Sequence, residues 1–248
     1  MEQKKKIIGL YRKRDVVSTF DKERRKYLFQ RVKHETEANF LKDSIEKIKE
    51  KEIRVLDVAC GTGRMLPEVF DSKKNIEYYG LDSSIEMTKE LKKKAKAMKK
   101  RAHITIGDAA KMPFKDGTFD LSYSFHLLWH IEEEEQKKVL KEMIRVTKPG
   151  GFIVFDILNK DFIWEKTKGL FGRKKEAGLY KINIKEARRF IRGAGISKLR
   201  KLSDAPIKNS LGYKIFHLIN KADSLVPQQF YHMIYIMAEK EDVRKKNR

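Results

Sequence analysis

The feature that most constrains the fold is a short β-rich segment that ends in two closely spaced glycines. Residues 53–59 read as a strand that runs into the loop Cys60-Gly61-Thr62-Gly63. Two glycines allow the backbone to turn tightly and to approach a ligand without a Cβ in the way. We therefore predict that this segment forms the first strand and the ligand-binding loop of an α/β domain.

The neighbouring segments repeat this alternation of strand-like and helical patterns. Strand-like apolar runs occupy four further stretches: 76–81, 102–106, 119–125 and 152–157. Helical patterns precede and separate these strands, at 21–50, 84–100 and 132–147. Strands that alternate with helices predict a parallel sheet with helices on both faces.

The pattern loosens after residue 158, and insertions are expected there. The region after residue 158 contains four further predicted elements: a helix at 185–192, strands at 196–202 and 230–238, and an amphipathic helix at 211–225. We predict two parts in the chain, a helical N-terminal cap over residues 1–50 and an α/β ligand-binding domain over residues 51–248. The domain is expected to carry insertions at about 158–184 and 204–229.

Three aspartates follow three successive predicted strands. Asp57 precedes the glycine loop, Asp82 ends the next strand, and Asp108 ends the third. An acidic residue at the position of Asp82 can accept hydrogen bonds from both ribose hydroxyls, although Asp82 or Ser83 also suits the N-cap of the next helix. Asp108 can accept from an adenine amino group while the Ala109 amide faces a ring nitrogen. One aspartate alone is more often a cap, but three at adjacent strand ends converge on one crevice.

The glycine loop also invites comparison with a nicotinamide-binding site, which prefers a third glycine. That position is Leu66 in this chain. Asp57 beside the loop would repel phosphates and would suit a ligand that carries an ammonium group. Both observations count against a dinucleotide.

These motifs together resemble one enzyme family. The segments that carry the resemblance are VLDVACGTG at 55–63, GLDSS at 80–84, GDAAKMPFKDGTFDLSYS at 107–124, RVTKPGGFIVFD at 145–156 and FYHMIYIMAEK at 230–240. They resemble the class I S-adenosylmethionine-dependent methyltransferases of the broad small-molecule type, over essentially residues 20–240. The resemblance implies a doubly wound α/β sheet of seven strands, mostly parallel with an antiparallel last strand, in the order 3-2-1-4-5-7-6.

The resemblance also implies roles for individual residues in binding S-adenosylmethionine. Asp57, Gly61 and Gly63 would contact its methionine part, with Arg31 near the carboxylate. Asp82 would bind the ribose, and Asp108 with Ala109 the adenine. The remaining expected cofactor residues are Ala59, Thr62, Ser83, Met87 and Ser124.

Two histidines follow the predicted fourth strand, where the transferred methyl group is expected. A general base helps methyl transfer only when the acceptor atom carries a proton. His126 and His130 are the candidate bases. The alternative for His130 is that it only ties its own loop together, as the matching histidine often does in similar enzymes.

Several absences narrow the function. Cys60 is the only cysteine, which excludes an internal disulfide and a cysteine-based zinc cluster, and no metal site is predicted. The chain lacks the Asn/Asp-Pro-Pro-Tyr/Phe motif of amino-group methyltransferases of DNA and the Pro-Cys pair of cytosine C5 enzymes. No apolar run reaches the roughly 18 residues of a membrane-spanning helix, and we expect a cytoplasmic protein.

The net charge of +22 has two interpretations. It can mark an anionic partner such as RNA, or a lysine- and glutamate-rich composition typical of organisms that grow hot. Aromatic and basic residues alternate in the 158–184 insertion, including Arg173, Lys174 and Lys175. The pattern predicts either a lid over an anionic acceptor or a solvated basic face with the aromatic side chains packed beneath it.

Three functions remain open from the sequence. The leading one is methyl transfer to an O, N or C atom of a small or lipid/sugar-type acceptor, including anionic ones. The first alternative is methylation of tRNA or rRNA. The second alternative is a non-enzymatic RNA-binding or assembly module on the same fold.

Overall fold

The computed structural model of the protein describes residues 28–161, 179–191, 196–203 and 233–241. Helix α1 (Leu28–Glu46) precedes the sheet. The next elements are β1 (Glu52–Val58), α2 (Leu66–Phe70), β2 (Asn75–Asp82), α3 (Ile85–Ala97), β3 (Ala102–Ile106) and β4 (Phe119–Ser124). A 3-10 turn at Leu128–His130 leads to α4 (Glu133–Val146), β5 (Thr147–Leu158), α5 (Ile184–Ile191), β6 (Ile196–Ser203) and β7 (Met233–Lys240).

The strands form one sheet in the order β3-β2-β1-β4-β5-β7-β6. All pairs from β3 to β5 are parallel, whereas β7 runs antiparallel to both β5 and β6. The predicted doubly wound, mostly parallel sheet is therefore confirmed, in the order that the resemblance implies. The reversal of order at β1 and β4 opens a crevice at their carboxyl ends, where such sheets bind ligands.

The two faces of the sheet carry separate apolar cores because side chains alternate along each strand. On one face Val55 and Tyr235 pack with Leu41 and Ile45 of α1. On the opposite face Leu56 and the neighbouring strands pack against α4 and α5. Helix α1 thus packs into the core of the sheet domain.

Most elements differ by a few residues from the ranges expected from the sequence, and helix α2 has no counterpart in the prediction; two of the differences have a visible cause. The N-cap of α3 is Ser84, whose side chain accepts a hydrogen bond from Met87 N, rather than Asp82 or Ser83. Strand β5 begins at Thr147 instead of residue 152, with a register shift opposite Phe119 and Leu121. A Cβ at Gly151 would lie 2.7 Å from the Asp120 carbonyl oxygen, so glycine permits this close pairing.

Several sequence-based expectations lie outside the described residues. These are residues 1–27 of the N-terminal cap, residues 162–178 of the predicted lid, and the 204–229 insertion with its amphipathic helix. The division of the chain into a helical N-terminal cap and an α/β domain with two insertions therefore stays a prediction. Among the helices that the structure describes, none has the length and apolar character needed to cross a membrane.

Candidate functional site

A crevice lies beyond the carboxyl ends of β1, β2, β3 and β4. Most of the residues expected from the sequence border it: Asp57, Ala59, Gly61, Thr62, Asp82, Ser83, Met87, Asp108, Ala109, His126 and His130. The fold therefore brings together side chains that come from four separate strand ends. Arg64 and Tyr123, which the sequence analysis did not single out, also border it.

The loop after β1 takes backbone conformations that few residues adopt. Ala59, Gly61 and Gly63 have φ angles of 58°, 54° and 69°. The left-handed region costs a non-glycine residue about 1–2 kcal/mol, so Ala59 is held there by its surroundings. A Cβ added at Gly61 would meet no atom within 4 Å in the described part of the chain, so it would project into open space at the crevice. This part of the backbone can therefore approach a bound ligand closely.

Asp82 connects the loop to the first turn of α3. Its Oδ2 accepts a hydrogen bond from Gly61 N at 2.8 Å, and its Oδ1 accepts one from Ser84 N at 2.8 Å. Burial raises the pKa of this carboxyl, and hydrogen bonds from the backbone N–H groups of Ser84, Gly61 and Ser83 act in the opposite direction. A carboxylate has about four acceptor positions, so Asp82 can still accept a hydrogen bond from a bound ligand.

Asp57 lies at the bottom of the crevice, held by two tyrosine hydroxyls. Tyr78 and Tyr123 both donate to its Oδ2, at 2.8 Å and 2.6 Å. Burial raises the pKa of Asp57 to about 6, although the two hydrogen bonds favour the carboxylate. Buried carboxylates are costly unless compensated, so this one is poised to pair with a cation such as an ammonium group.

The far end of the crevice is formed by the segment after β3. Asp108 is exposed, and its Oδ1 accepts a hydrogen bond from Ala110 N at 3.0 Å, which fixes a tight turn. Met87 on α3 is buried and borders the same crevice.

Three expected cofactor residues lie outside the crevice lining. Gly63 faces the helix, since an added Cβ would lie 2.2 Å from Leu91 Cδ1. Ser124 is fully buried and donates to the Val58 carbonyl oxygen at 2.9 Å. Arg31 borders a second cavity on the α1 side. Gly63 and Ser124 therefore support the loop from the side that faces away from the crevice.

The two histidines are held in different ways. His126 has a φ of 67°, and its backbone N–H donates to Asp156 Oδ1 at 2.8 Å. Its Nε2 lies 2.5 Å from Glu37 Oε1. His130 lies in the 3-10 turn with its ring centroid 4.1 Å from that of Trp129.

A buried ionic network on the α1 side was missed by sequence reasoning. Glu37 Oε2 forms an ion pair with Arg64 Nη1 at 2.6 Å. Neither Glu37 nor the residues next to it in the sequence form a recognisable motif. Burial opposes ionisation of Glu37, but the charges of Arg64 and Lys33 and the hydrogen bond from His126 hold its pKa well below the usual range. Arg64 and His126 border both the crevice and the second cavity, so the network stands between the two.

Glu37, His126 and Asp156 also place three metal-ligand atoms within 4.8 Å of one another. Arg64 already neutralises Glu37 in a direct ion pair. A second cation in this cluster would be repelled by Arg64, so the cluster is better described as an ionic network.

Comparison with known proteins matches the central part of the chain. Residues 55–151 match a family model described as a methyltransferase domain. A norajmaline N-methyltransferase of Rauvolfia serpentina is 34% identical over 119 residues, which are 47% of this chain and 38% of that relative. A demethylmenaquinone methyltransferase of Renibacterium salmoninarum is 40% identical over 102 residues, or 41% of this chain and 39% of that relative. The chain thus matches about two fifths of the length of these relatives.

The fold extends the likeness over most of the chain. The crystal structure of magnesium protoporphyrin IX methyltransferase from Synechocystis PCC 6803 with bound S-adenosylhomocysteine superposes with a TM-score of 0.64 at 16% identity. The superposition covers 92% of this chain and 98% of that protein. Residues 55–151 therefore match a methyltransferase domain, and the chain shares the fold of this solved methyltransferase.

Proposed function

We propose that the protein transfers a methyl group from S-adenosylmethionine to an O, N or C atom of a small or lipid/sugar-type acceptor, anionic acceptors included. The observation that carries this proposal is the crevice in which Asp57, Asp82 and Asp108 converge beside the open backbone of Gly61. Matched relatives are named for methylation of alkaloids, sterols and menaquinone precursors, which supports a small-molecule acceptor.

Each part of the cofactor has a chemical counterpart in the crevice. Asp57 pairs with the ammonium group of the methionine part, and Asp82 accepts from the ribose hydroxyls. Asp108 and the Ala109 amide read the adenine edge, with Ser83 and Met87 along the adenosine. Gly61 lets the methionine part lie against the loop backbone.

The cofactor supplies a methyl group that is already activated by its sulfonium charge. The chain's own task is then to position the acceptor in line with that methyl group and to exclude water. Arg64 and His126 border both cavities, so we place the acceptor in the second cavity with its reacting atom beside His126. His126 and His130 are the candidate bases for an acceptor that carries a proton.

Cofactor binding is tested by calorimetry on the wild type and Asp82→Ala. Loss of the ribose hydrogen bonds should weaken binding of S-adenosylmethionine and S-adenosylhomocysteine by about 1–3 kcal/mol. Glu77→Ala is the matched control, because Glu77 lies on the same strand but pairs with exposed Arg54. Equal affinities of Asp82→Ala and wild type would refute the ribose assignment.

The reaction itself is tested with cofactor labelled on its methyl group. The protein is incubated with fractionated metabolite extract and, separately, with total RNA, and the label is followed into each. Label in a metabolite fraction supports the proposal. Binding of cofactor without transfer to either pool would favour a non-enzymatic module.

RNA methylation is the second candidate, for which two observations speak. The net charge is +22, and one matched relative is a tRNA (carboxymethyluridine(34)-5-O)-methyltransferase of Arabidopsis thaliana, 29% identical over 107 residues. RNA binding that weakens steeply with salt, together with label in RNA, would favour this candidate. The predicted lid residues Arg173, Lys174 and Lys175 lie outside the described residues, so their role stays a prediction.

A further inference from the structure

Glu37 is a fully buried carboxylate whose two oxygens hold two different parts of the active site. Its Oε1 lies 2.5 Å from His126 Nε2, and its Oε2 lies 2.6 Å from Arg64 Nη1. The Tyr235 hydroxyl from β7 donates to the same Oε1 at 3.4 Å. Because α1 is packed into the sheet core, the carboxylate has little freedom to move. Glu37 therefore fixes the orientation of the His126 ring.

The backbone of His126 is also held in an unfavourable conformation. Its φ of 67° is left-handed, and its N–H is anchored on the buried carboxylate of Asp156 in β5. Strain of this kind costs about 1–3 kcal/mol and persists where the surrounding structure over-determines it. Two buried carboxylates from separate elements thus hold His126 at the end of β4, Asp156 by the backbone N–H and Glu37 by the ring.

The position of this imidazole matters for the reaction. The side chain of His126 is 9% exposed and borders both the cofactor crevice and the second cavity. A ring whose Nε2 donates its proton to a carboxylate carries its lone pair on Nδ1. The tautomer of His126 is therefore set by Glu37.

We propose that Glu37 is a positioning residue that holds the proton of His126 on Nε2, so that Nδ1 accepts the proton of an O–H or N–H acceptor during methyl transfer. This inference rests on the proposed function and selects His126 over His130 as the base. It also narrows the acceptor to a molecule that presents a protonated oxygen or nitrogen.

The step balances in atoms and charge. A lone pair on the acceptor heteroatom forms a bond to the methyl carbon, and the carbon–sulfur bond breaks with its electron pair left on sulfur. The heteroatom proton passes to His126 Nδ1. The positive charge of the sulfonium is thereby replaced by that of the imidazolium, which lies against the Glu37 carboxylate.

Burial disfavours the charged form of the His126 ring, as a resting base requires. It lowers the pKa of His126 well below its usual value, and Lys33 on α1 and Arg64 act in the same direction. Glu37 opposes them, and Asp156 Oδ2 lies 4.0 Å from Nε2. Burial thus favours the neutral ring before the acceptor binds, and Glu37 stabilises the ring when it takes up a proton.

The tautomer is tested by nitrogen-15 NMR of the histidine rings, with the full chain bound to S-adenosylhomocysteine in the presence of EDTA. His126→Asn assigns the signals of His126. We expect a neutral ring with its proton on Nε2 between about pH 5 and 8. A wild-type ring protonated on Nδ1 would overturn the inference, as would a spectrum that changes when EDTA is replaced by zinc at the concentration of the protein.

Glu37→Gln provides the matched variant. Arg64 has only donors, so it should attract the amide oxygen and leave the amide N–H₂ facing His126. The proton of His126 should then move to Nδ1. An unchanged tautomer in a variant that still binds S-adenosylhomocysteine would contradict the role of Glu37, and Glu37→Asp, which keeps a carboxylate, should retain the wild-type tautomer.

Kinetics separate positioning from support of the fold. The readout is the single-turnover rate of label transfer from S-adenosylmethionine into the metabolite fraction that the wild type methylates. Glu37→Gln should lower this rate at least about tenfold, while the affinity for S-adenosylhomocysteine stays within about twofold. In a His126→Ala background the same change should have no further effect, because Glu37 acts through His126.

The outcomes for the two proposals differ. Additive losses in the double variant would assign Glu37 a purely structural role and overturn the inference. A wild type that transfers label to no fraction would contradict the proposed function instead, while the tautomer measurement needs no acceptor and still decides the role of Glu37.

Discussion

The two sides of the active site are built by different means. On the cofactor side, a single loop after β1 supplies backbone groups, and its residues Ala59, Gly61 and Gly63 all have left-handed backbone conformations. On the α1 side, a buried network joins side chains that are far apart in the sequence. Glu37 contacts His126, 89 residues away, and Tyr235, 198 residues away. The comparison teaches that the backbone of the glycine loop is determined locally in the sequence, whereas the buried network depends on the complete fold.

The largest effect is expected where the loop meets its helix. In Gly63→Ala, the new Cβ would lie 2.2 Å from Leu91 Cδ1, at a φ of 69°. Crowding of a packed core costs about 1–3 kcal/mol, and the left-handed conformation adds about 1–2 kcal/mol. Urea unfolding measures this loss. Gly117→Ala is the control, because it has a φ of 59° but its nearest atoms lie 3.8 Å away. Equal stability of the two variants would show that Leu91 yields and that the loop is not limited by packing.

On the α1 side, Asp156→Ala should lower the free energy of unfolding by about 1–3 kcal/mol. The change leaves the His126 N–H and the Trp129 Nε1–H without the carboxylate that accepts them at 2.8 Å and 3.3 Å. Asp156→Asn keeps one oxygen and should lose less. Cofactor affinity, followed by calorimetry, should change little. A loss of affinity as large as the loss of stability would break the separation between the two sides.

Gly61→Ala should give the reverse pattern. The added Cβ meets no atom within 4 Å among the described residues, so stability should fall only as far as in Gly117→Ala. The methyl group would project into the crevice, and S-adenosylmethionine affinity should fall about tenfold or more, which is about 1.4 kcal/mol. Calorimetry and urea unfolding together test this. Unchanged affinity would mean that the cofactor does not lie against this part of the loop.

The smallest effect is a pH dependence of cofactor affinity. The pKa of Asp57 is raised from 3.8 to about 6, mainly by burial. Because we propose that its carboxylate form pairs with the cofactor ammonium, affinity should fall as the pH drops through 6, about tenfold at pH 5. A raised pKa in the folded state means that this carboxyl stabilises the fold at low pH, and that this contribution is lost as the pH rises from about 4 through 6. Affinity and the Asp57 contribution to stability therefore change in opposite directions. Calorimetry at about pH 5 and pH 7 tests the prediction, and Asp57→Asn should remove the dependence.

The sequence was sufficient for the parts of the molecule that local patterns determine. The loop at Gly61 and the convergence of Asp57, Asp82 and Asp108 follow from contiguous segments and from the general behaviour of parallel strands. The resemblance added the strand order and the antiparallel position of β7. The residues that the structure adds to this picture depend on longer-range packing.

Glu37 illustrates what could not be predicted. In a helix rich in charged residues, a glutamate normally faces solvent, and the pattern of α1 contains no sign that this one is buried. Its burial depends on Arg64 and His126, which reach it only when α1 packs on the sheet. Tyr78 and Tyr123 carried a usable signal, since hydroxyl groups within buried strands require a partner, and Tyr123 is in register with Asp57.

The position of β7 has a consequence for the order in which the chain can fold during synthesis. This strand lies between β5 and β6, with its first six residues buried, and its terminal Lys240 Nζ donates to the carbonyl oxygens of Ile144 and Thr147 at the end of α4. A ribosome releases β5 long before β7, so a growing chain presents β5 as an unpaired apolar edge. Such edges pair readily with other chains. A nascent chain paused between β6 and β7 is therefore the form most exposed to aggregation, and the emergence of residues 233–240 closes the sheet and the carbonyl end of α4 in a single event.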